Sequence, residues 1–117
     1  RLECEKRGCE PVARSGPSDS RSVFEALAAG DEAARAAVDT MAGALGFELA
    51  NAACSFDPEV FVLGGGVSAG AEHYLDRVTE VFKKMTLSCC AGTPITIASL
   101  GNDAGMLGAA YYAVTNA

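Results

Sequence analysis

The sequence predicts an α/β fold, a βαβ core with flanking helices, whose sheet is incomplete within the chain. Three observations carry that expectation. Two short runs, Glu59–Leu63 and Ile95–Leu100, are β-branched and apolar; the first is continuous rather than alternating, as a strand buried on both faces reads. An amphipathic stretch, Ser68–Met85, lies between them, and a strand, a crossover helix and a second strand form a right-handed parallel unit. Two parallel strands alone do not make a sheet stable in water. Further strands are therefore expected from elsewhere, either an absent N-terminal portion or a second chain.

Composition is that of a soluble globular protein. Half of the 117 residues are hydrophobic, and 15 acidic against 9 basic side chains give a net charge of −6. That balance argues against a nucleic-acid groove or an anionic membrane surface, both of which need clustered Lys and Arg. No apolar run approaches the roughly 20 residues that span a bilayer, and no signal segment opens the chain. Beginning at Arg1 rather than Met, the sequence reads as a fragment or a processed product. Its 5 cysteines are odd in number and irregular in spacing, with Cys89 and Cys90 adjacent. They read as reduced thiols of a cytoplasmic protein rather than a secreted disulfide framework.

Residues 1–21 mix Gly, Pro, Ser and charge without apolar periodicity and read as loop. Ser22-Val-Phe-Glu25 fits a capping box, opening a short helix to Ala29 that Gly30 stops. Asp31 is the next N-cap. Behind it Ala34, Val38, Met41, Leu45, Leu49 and Ala52 step by three or four and form one apolar stripe. A helix running to Phe56 would be about 39 Å long. Gly43 and Gly46 each cost it about 1 kcal/mol, and a close-passing backbone would explain them. Asp57-Pro58 ends it.

In the stretch from Ser68 to Met85, Leu75, Val78, Phe82 and Met85 share one face, while Glu72, Asp76, Glu80, Lys83 and Lys84 occupy the other. Glu80 and Lys84 are spaced to pair. After the second strand Gly101-Asn102-Asp103 turns the chain. Asp103 is expected to cap a last helix through Leu107, Tyr111 and Val114, with Tyr111 and Tyr112 packing.

The sharpest local feature is Gly64-Gly65-Gly66-Val67 at the end of the first strand. Glycines let a ligand approach the backbone, the following helix offers unpaired amides and a positive dipole end, and ligands gather at the carboxyl ends of parallel strands. A tight turn using glycine for geometry alone is the competing reading. Gly64-x-Gly66-x-x-Ala69 also fits the dinucleotide fingerprint, but that pattern wants an acidic residue about 20 positions on, closing the next strand. The next strand ends at Leu100 and the first acid beyond it is Asp103, so the dinucleotide reading fails. His73, the only histidine, reads as an exposed side chain, and one histidine makes no metal site. No Ser-His-Asp or H-E-x-x-H arrangement supports a hydrolase.

Two stretches go beyond a generic α/β pattern. Ala50-Asn51 leads through Phe56-Asp57-Pro58-Glu59-Val60-Phe61-Val62-Leu63-Gly64-Gly65-Gly66-Val67-Ser68, and Ile95 leads through Leu100-Gly101-Asn102-Asp103-Ala104-Gly105-Met106-Leu107-Gly108-Ala109-Ala110. Their order, spacing and wording resemble the C-terminal half of the ROK family of sugar kinases and repressors, whose fold is the actin-like ATPase, or ribonuclease H-like, fold. Val23-Phe24-Glu25 with Ala29-Gly30-Asp31 is similar to that family's helical segment, so the resemblance covers residues 22–117.

The resemblance implies a nucleotide-binding lobe in which Gly64, Gly65, Gly66 and Val67 contact the adenosine of ATP. It implies a glucokinase-like parent that phosphorylates a hexose with ATP and magnesium, and that is completed by a missing N-terminal half. The base and the phosphate-binding Asp-Gly-Gly-Thr-type turn belong to that half, so no catalytic residue is expected here and the isolated chain is expected to be inactive. Two alternatives stay open: the sugar-sensing, dimerising domain of a repressor, with nucleic-acid contacts elsewhere, and a degenerate paralogue. The family's zinc segment resembles residues 2–10. Cys4, Gly8 and Cys9 match it, Leu2 and Glu5 depart from it, and two ligands cannot close a tetrahedral site; zinc is not expected. Strands in need of neighbours also lead us to expect self-association.

Overall fold

Where the chain can and cannot continue a helix sets its order of elements. A computed structural model describes residues 20–116, in the order α1 (Ser20–Ala28), α2 (Glu32–Phe56), β1 (Phe61–Leu63), a 3₁₀ segment (Gly66–His73), α3 (Leu75–Met85), β2 (Ile95–Ile97), a 3₁₀ turn (Gly101–Asp103) and α4 (Ala104–Thr115). The zinc-like segment with Cys4 and Cys9 lies outside the described residues, as does most of the expected loop.

Helix α1 is already helical at Ser20, so Ser22 sits inside it and is not its N-cap. Its end is as expected: Gly30 turns left-handed at φ 85°, its N–H donates to the Leu27 carbonyl, and Asp31 N–H donates to that of Ala26, both at 3.0 Å. Asp31 then caps α2, its Oδ1 accepting from Ala34 N at 2.8 Å. At the far end Asp57 takes a left-handed conformation (φ 45°, ψ 56°) and bonds back to the Ala53 carbonyl, with Pro58 closing off any continuation.

The face that α2 buries is rotated from the expected stripe of large residues. Ala34 and Val38 are buried, but the line continues through Ala42, Gly46, Ala50 and Ala53, with Met41, Leu45 and Leu49 packed at its flanks. The cause is proximity of α3. A Cβ on Gly46 would lie 2.7 Å from the Val78 carbonyl oxygen and 2.9 Å from Val81 Cβ, whereas one on Gly43 would meet nothing within 4 Å. Close backbone approach therefore explains Gly46 and not Gly43.

Val38, Ala42, Ala71, Tyr74 and Val78 form one core, and Ala50, Ala53, Phe82 and Cys90 a second. Both lie under one face of the sheet, where Phe61 meets Phe82 edge to face at 5.9 Å. β1 and β2 pair in parallel, Phe61 with Ile95, Val62 with Thr96 and Leu63 with Ile97. Both strands are shorter than expected and neither is buried on both faces. Phe61 and Leu63 are half-buried while Val62 is 59% exposed, because the two helices that cover the sheet cover the same side of it.

The stretch from Ser68 to Met85 is not one helix. Its first half is 3₁₀, broken at Gly70 (φ −106°, ψ 21°) and at Tyr74 (φ −135°, ψ −16°) before α3 begins. The glycine at the break has a packing cause: the Phe24 ring of α1 fills the space a Cβ on Gly70 would need. In α3 the direct surface ion pair is Arg77 with Glu80 at 2.8 Å; Lys84, the expected partner, acts on Glu80 only at longer range, helping Arg77 to lower its pKa. β2 ends at Ile97, after which Ala98 N–H donates to the Leu63 carbonyl at 2.8 Å. Asp103 makes no side-chain cap; its backbone is already helical and its N–H donates to the Leu100 carbonyl. Helix α4 buries no residue, and Tyr111 and Tyr112, expected to pack, are 73% and 69% exposed. Among the described residues no helix is long and apolar enough to cross a membrane.

Candidate functional site

Parallel strands send their C-terminal connections to the same edge of the sheet. Here Gly64–Gly66 come after β1, Ala98–Asp103 come after β2, and the two 3₁₀ pieces pack against each other. The two motifs that the sequence singled out, more than thirty residues apart, thus converge at one corner.

Gly64, Gly65, Gly66 and Val67 are all exposed at this corner. Gly65 needs to be glycine, since its φ of 86° with ψ of −175° is closed to side chains with a Cβ. The turn is held from beneath. The Ser68 hydroxyl donates to the Gly65 carbonyl at 2.7 Å, and Ser68 N–H donates to the same oxygen at 3.1 Å. Tyr74, only 3% exposed, donates its hydroxyl to the Val67 carbonyl at 3.3 Å. Burial raises the Tyr74 pKa, which keeps the phenol a neutral donor. With Gly65 and Val67 tied down from inside, the outer surface of the corner is bare backbone.

Beside it runs a shallow groove of about 180 Å³, lined by Ser20, Val23 and Phe24 of α1, Ala37, Val38 and Met41 of α2, and Val67 of the corner. Val67 belongs to both features. The lining is apolar, and the volume is below the roughly 300–1,000 Å³ of ordinary ligand clefts, so the groove is an open surface rather than an enclosed pocket. An apolar wall next to exposed backbone suits a flat heteroaromatic ring carrying polar groups.

Val23, Phe24 and Met41 were legible in the sequence only as helix residues. Nothing in their spacing marks them as groove lining, because the groove depends on how α1 crosses α2. His73 is exposed as expected, but its ring also stacks on Phe24 at 5.6 Å. Among the described residues no three of His, Cys, Asp or Glu come together as metal ligands.

Comparison with known proteins gives the family of the chain. The glucokinase of Halalkalibacterium halodurans is 40% identical over 96 residues, 81% of this chain and 29% of that protein. The N-acetylmannosamine kinase of Haemophilus influenzae is 34% identical over 122 aligned residues, 93% of this chain and 39% of that protein. Among solved structures, a ROK family glucokinase from Streptomyces griseus, in complex with glucose and AMPPNP, superposes with a TM-score of 0.71 at 33% identity, over 79% of this chain and 30% of that one. The chain thus spans well under half the length of the proteins it matches. Residues 7–116 match the ROK family, and the chain belongs to that family.

Proposed function

We propose that this chain is the nucleotide-binding C-terminal lobe, residues 22–117, of an ATP-dependent hexose kinase with an actin-like ATPase fold. The observation that carries the reading is the junction at Val67, where an apolar groove meets an exposed glycine corner at the carboxyl edge of a parallel sheet. In this reading adenine lies against Val23, Phe24 and Met41, while ribose and the first phosphates pass over Gly64–Gly66, where no side chain obstructs them. Tyr74 and Ser68 hold that surface in shape.

Phosphoryl transfer requires the acceptor hydroxyl, the γ-phosphate and the metal to be held together. This lobe supplies one wall of that arrangement. The remainder of the parent protein supplies the sugar site, the base and the magnesium site, so the chain alone is inactive. The same division accounts for the uncovered side of the sheet. The relatives' names favour a hexose or an N-acetylhexosamine as acceptor, and such an enzyme works in the cytoplasm, where ATP is available.

The test is calorimetric titration of the parent protein with ATP and a panel of sugars, beside a Gly66→Val variant. We expect ATP binding and turnover of a hexose, with KM for ATP raised at least tenfold in the variant and KM for sugar little changed. Absence of nucleotide binding by the parent would sink the kinase reading. If such a parent carried an upstream winged helix, the sugar-sensing repressor would replace it.

A further inference from the structure

The sheet edge opposite the glycine corner gathers thiols. Cys54 lies in the last turn of α2, and Cys89 and Cys90 lie in the loop between α3 and β2. The Sγ atoms of Cys89 and Cys90 are 3.5 Å apart. Their settings differ: Cys89 is exposed, whereas Cys90 is buried among Ala50, Ala53 and Phe82. The loop is pinned on both sides of the pair, Cys90 N–H donating to the Leu87 carbonyl at 3.0 Å and Thr93 N–H to that of Cys90 at 3.1 Å. Cys54 has a different partner, its Sγ lying 3.6 Å from Thr86 Oγ1. One thiol open to reagent thus has a second, shielded thiol within reach.

We propose that Cys89 and Cys90 form a two-electron redox site, which a hydroperoxide converts to a disulfide between these sequence neighbours. Access makes Cys89 the attacking thiol. Its thiolate sulfur bonds to one peroxide oxygen and the O–O bond breaks; the departing oxygen takes up the proton that Cys89 had released and leaves as water (as an alcohol from an organic hydroperoxide), giving a sulfenic acid on Cys89. The Cys90 sulfur then attacks the Cys89 sulfur. The S–S bond forms, the S–O bond breaks, and the Cys90 proton leaves with the hydroxyl as water. The pair loses two electrons and the peroxide gains them. Hydrogen bonding with Cys89 and burial push the Cys90 thiol up to about 11, so Cys90 keeps its proton until the second step. Closing the 3.5 Å gap to an S–S bond of about 2.05 Å shifts the Cys90 sulfur within the cluster it shares with Ala50, Ala53 and Phe82.

The reduced chain is treated with a stoichiometric amount of hydrogen peroxide, capped with N-ethylmaleimide and cut with trypsin. No Lys or Arg comes after Lys84, so one peptide, 85–117, carries both cysteines and no others. We expect it lighter by two hydrogens and uncapped, taking up two caps after dithiothreitol. We also expect the oxidised chain to melt below the reduced one. In Cys90→Ser, Cys89 should stop at a sulfenic acid that dimedone captures, and in Cys89→Ser the buried Cys90 should remain reduced at the same dose. The proposal is overturned by a doubly capped peptide, by sulfinic acid at Cys89 without ring closure, or by a cross-link to Cys54 or to a second chain. The wild-type result decides by itself if Cys90→Ser does not fold.

Discussion

Helices α3 and α4 occupy matching places in the chain, each coming after a strand and its glycine turn, yet their surroundings are opposite. α3 (LDRVTEVFKKM) is divided between charged and apolar residues, and it buries Val78 and Phe82 against α2. α4 (AGMLGAAYYAVT) carries no charge at all, and it buries nothing. Sequence hydrophobicity and burial run in opposite directions here. A two-faced helix needs one apolar neighbour, and α2 provides it; a helix apolar all round needs neighbours on every side. Val60 and Val62 on the uncovered sheet face tell the same story, at 45% and 59% exposed. Surfaces of this kind mark interaction sites, and we take the rest of the parent protein to be what they meet.

The largest effects should confirm the asymmetry directly. Phe82→Ala removes a ring that is 1% exposed and should cost about 3–5 kcal/mol, which threatens the fold of so small a chain. Tyr111→Ala in α4 should stay within about 0.5 kcal/mol. Urea unfolding monitored by circular dichroism measures both, and comparable losses would break the contrast.

Gly46 and Gly43 sharpen it within a single helix. Gly46→Ala places a methyl against the α3 backbone and should destabilise by about 1–3 kcal/mol despite the better helix propensity of alanine. Gly43→Ala meets open space and should stabilise by up to about 1 kcal/mol. Changes of the same sign would mean that α2 and α3 are not in close contact at Gly46.

The sequence supports this architecture unevenly, for reasons specific to each residue. Asp31 and Gly30 were legible because capping is local: the atoms that satisfy each other lie within four residues. The parallel pairing of β1 with β2 was legible from connection length. The rotated face of α2 was not, because hydrophobic periodicity weights large residues, and a helix crossed at close range buries its small ones instead. The need for glycine at position 70 was hidden for a similar reason, since it answers to Phe24, forty-six positions earlier. At the site, the glycine corner stood out because its backbone geometry needs a particular residue type. The groove beside it did not, since Val23, Phe24 and Met41 are ordinary helix residues until α1 and α2 are placed together. Asp103 misled because the 3₁₀ turn ahead of α4 already uses its backbone.

Self-association tests the bare side of the molecule. Replacing Tyr111 and Val114 by Ser should move the melting temperature of the chain by only about 3 °C or less, the scale of surface changes of about 0.5 kcal/mol. It should also lower the concentration-dependent association that we expect of the wild-type chain. Sedimentation velocity across a concentration series measures this, and wild-type chain that stays monomeric at every concentration would remove the need for a partner on this side.

The smallest effect lies where α2 and α3 end together. Cys54 is exposed, yet a hydrogen bond from the Leu87 backbone and, second to it, one from the Thr86 hydroxyl lower its pKa below the usual thiol range. Both bonds stabilise the thiolate, so Cys54 should react with iodoacetamide at a lower pH than a free cysteine does. Thr86→Val removes the lesser contact and keeps the greater. The rate profile should therefore move toward higher pH but stop short of that of an unpaired thiol, while stability hardly changes because both groups are at the surface. A profile that does not move at all would show that the Thr86 hydroxyl does not reach Cys54 in solution. The surface contact at the ends of α2 and α3 would then be absent, and the buried packing of Ala53 with Phe82 alone would hold these ends together.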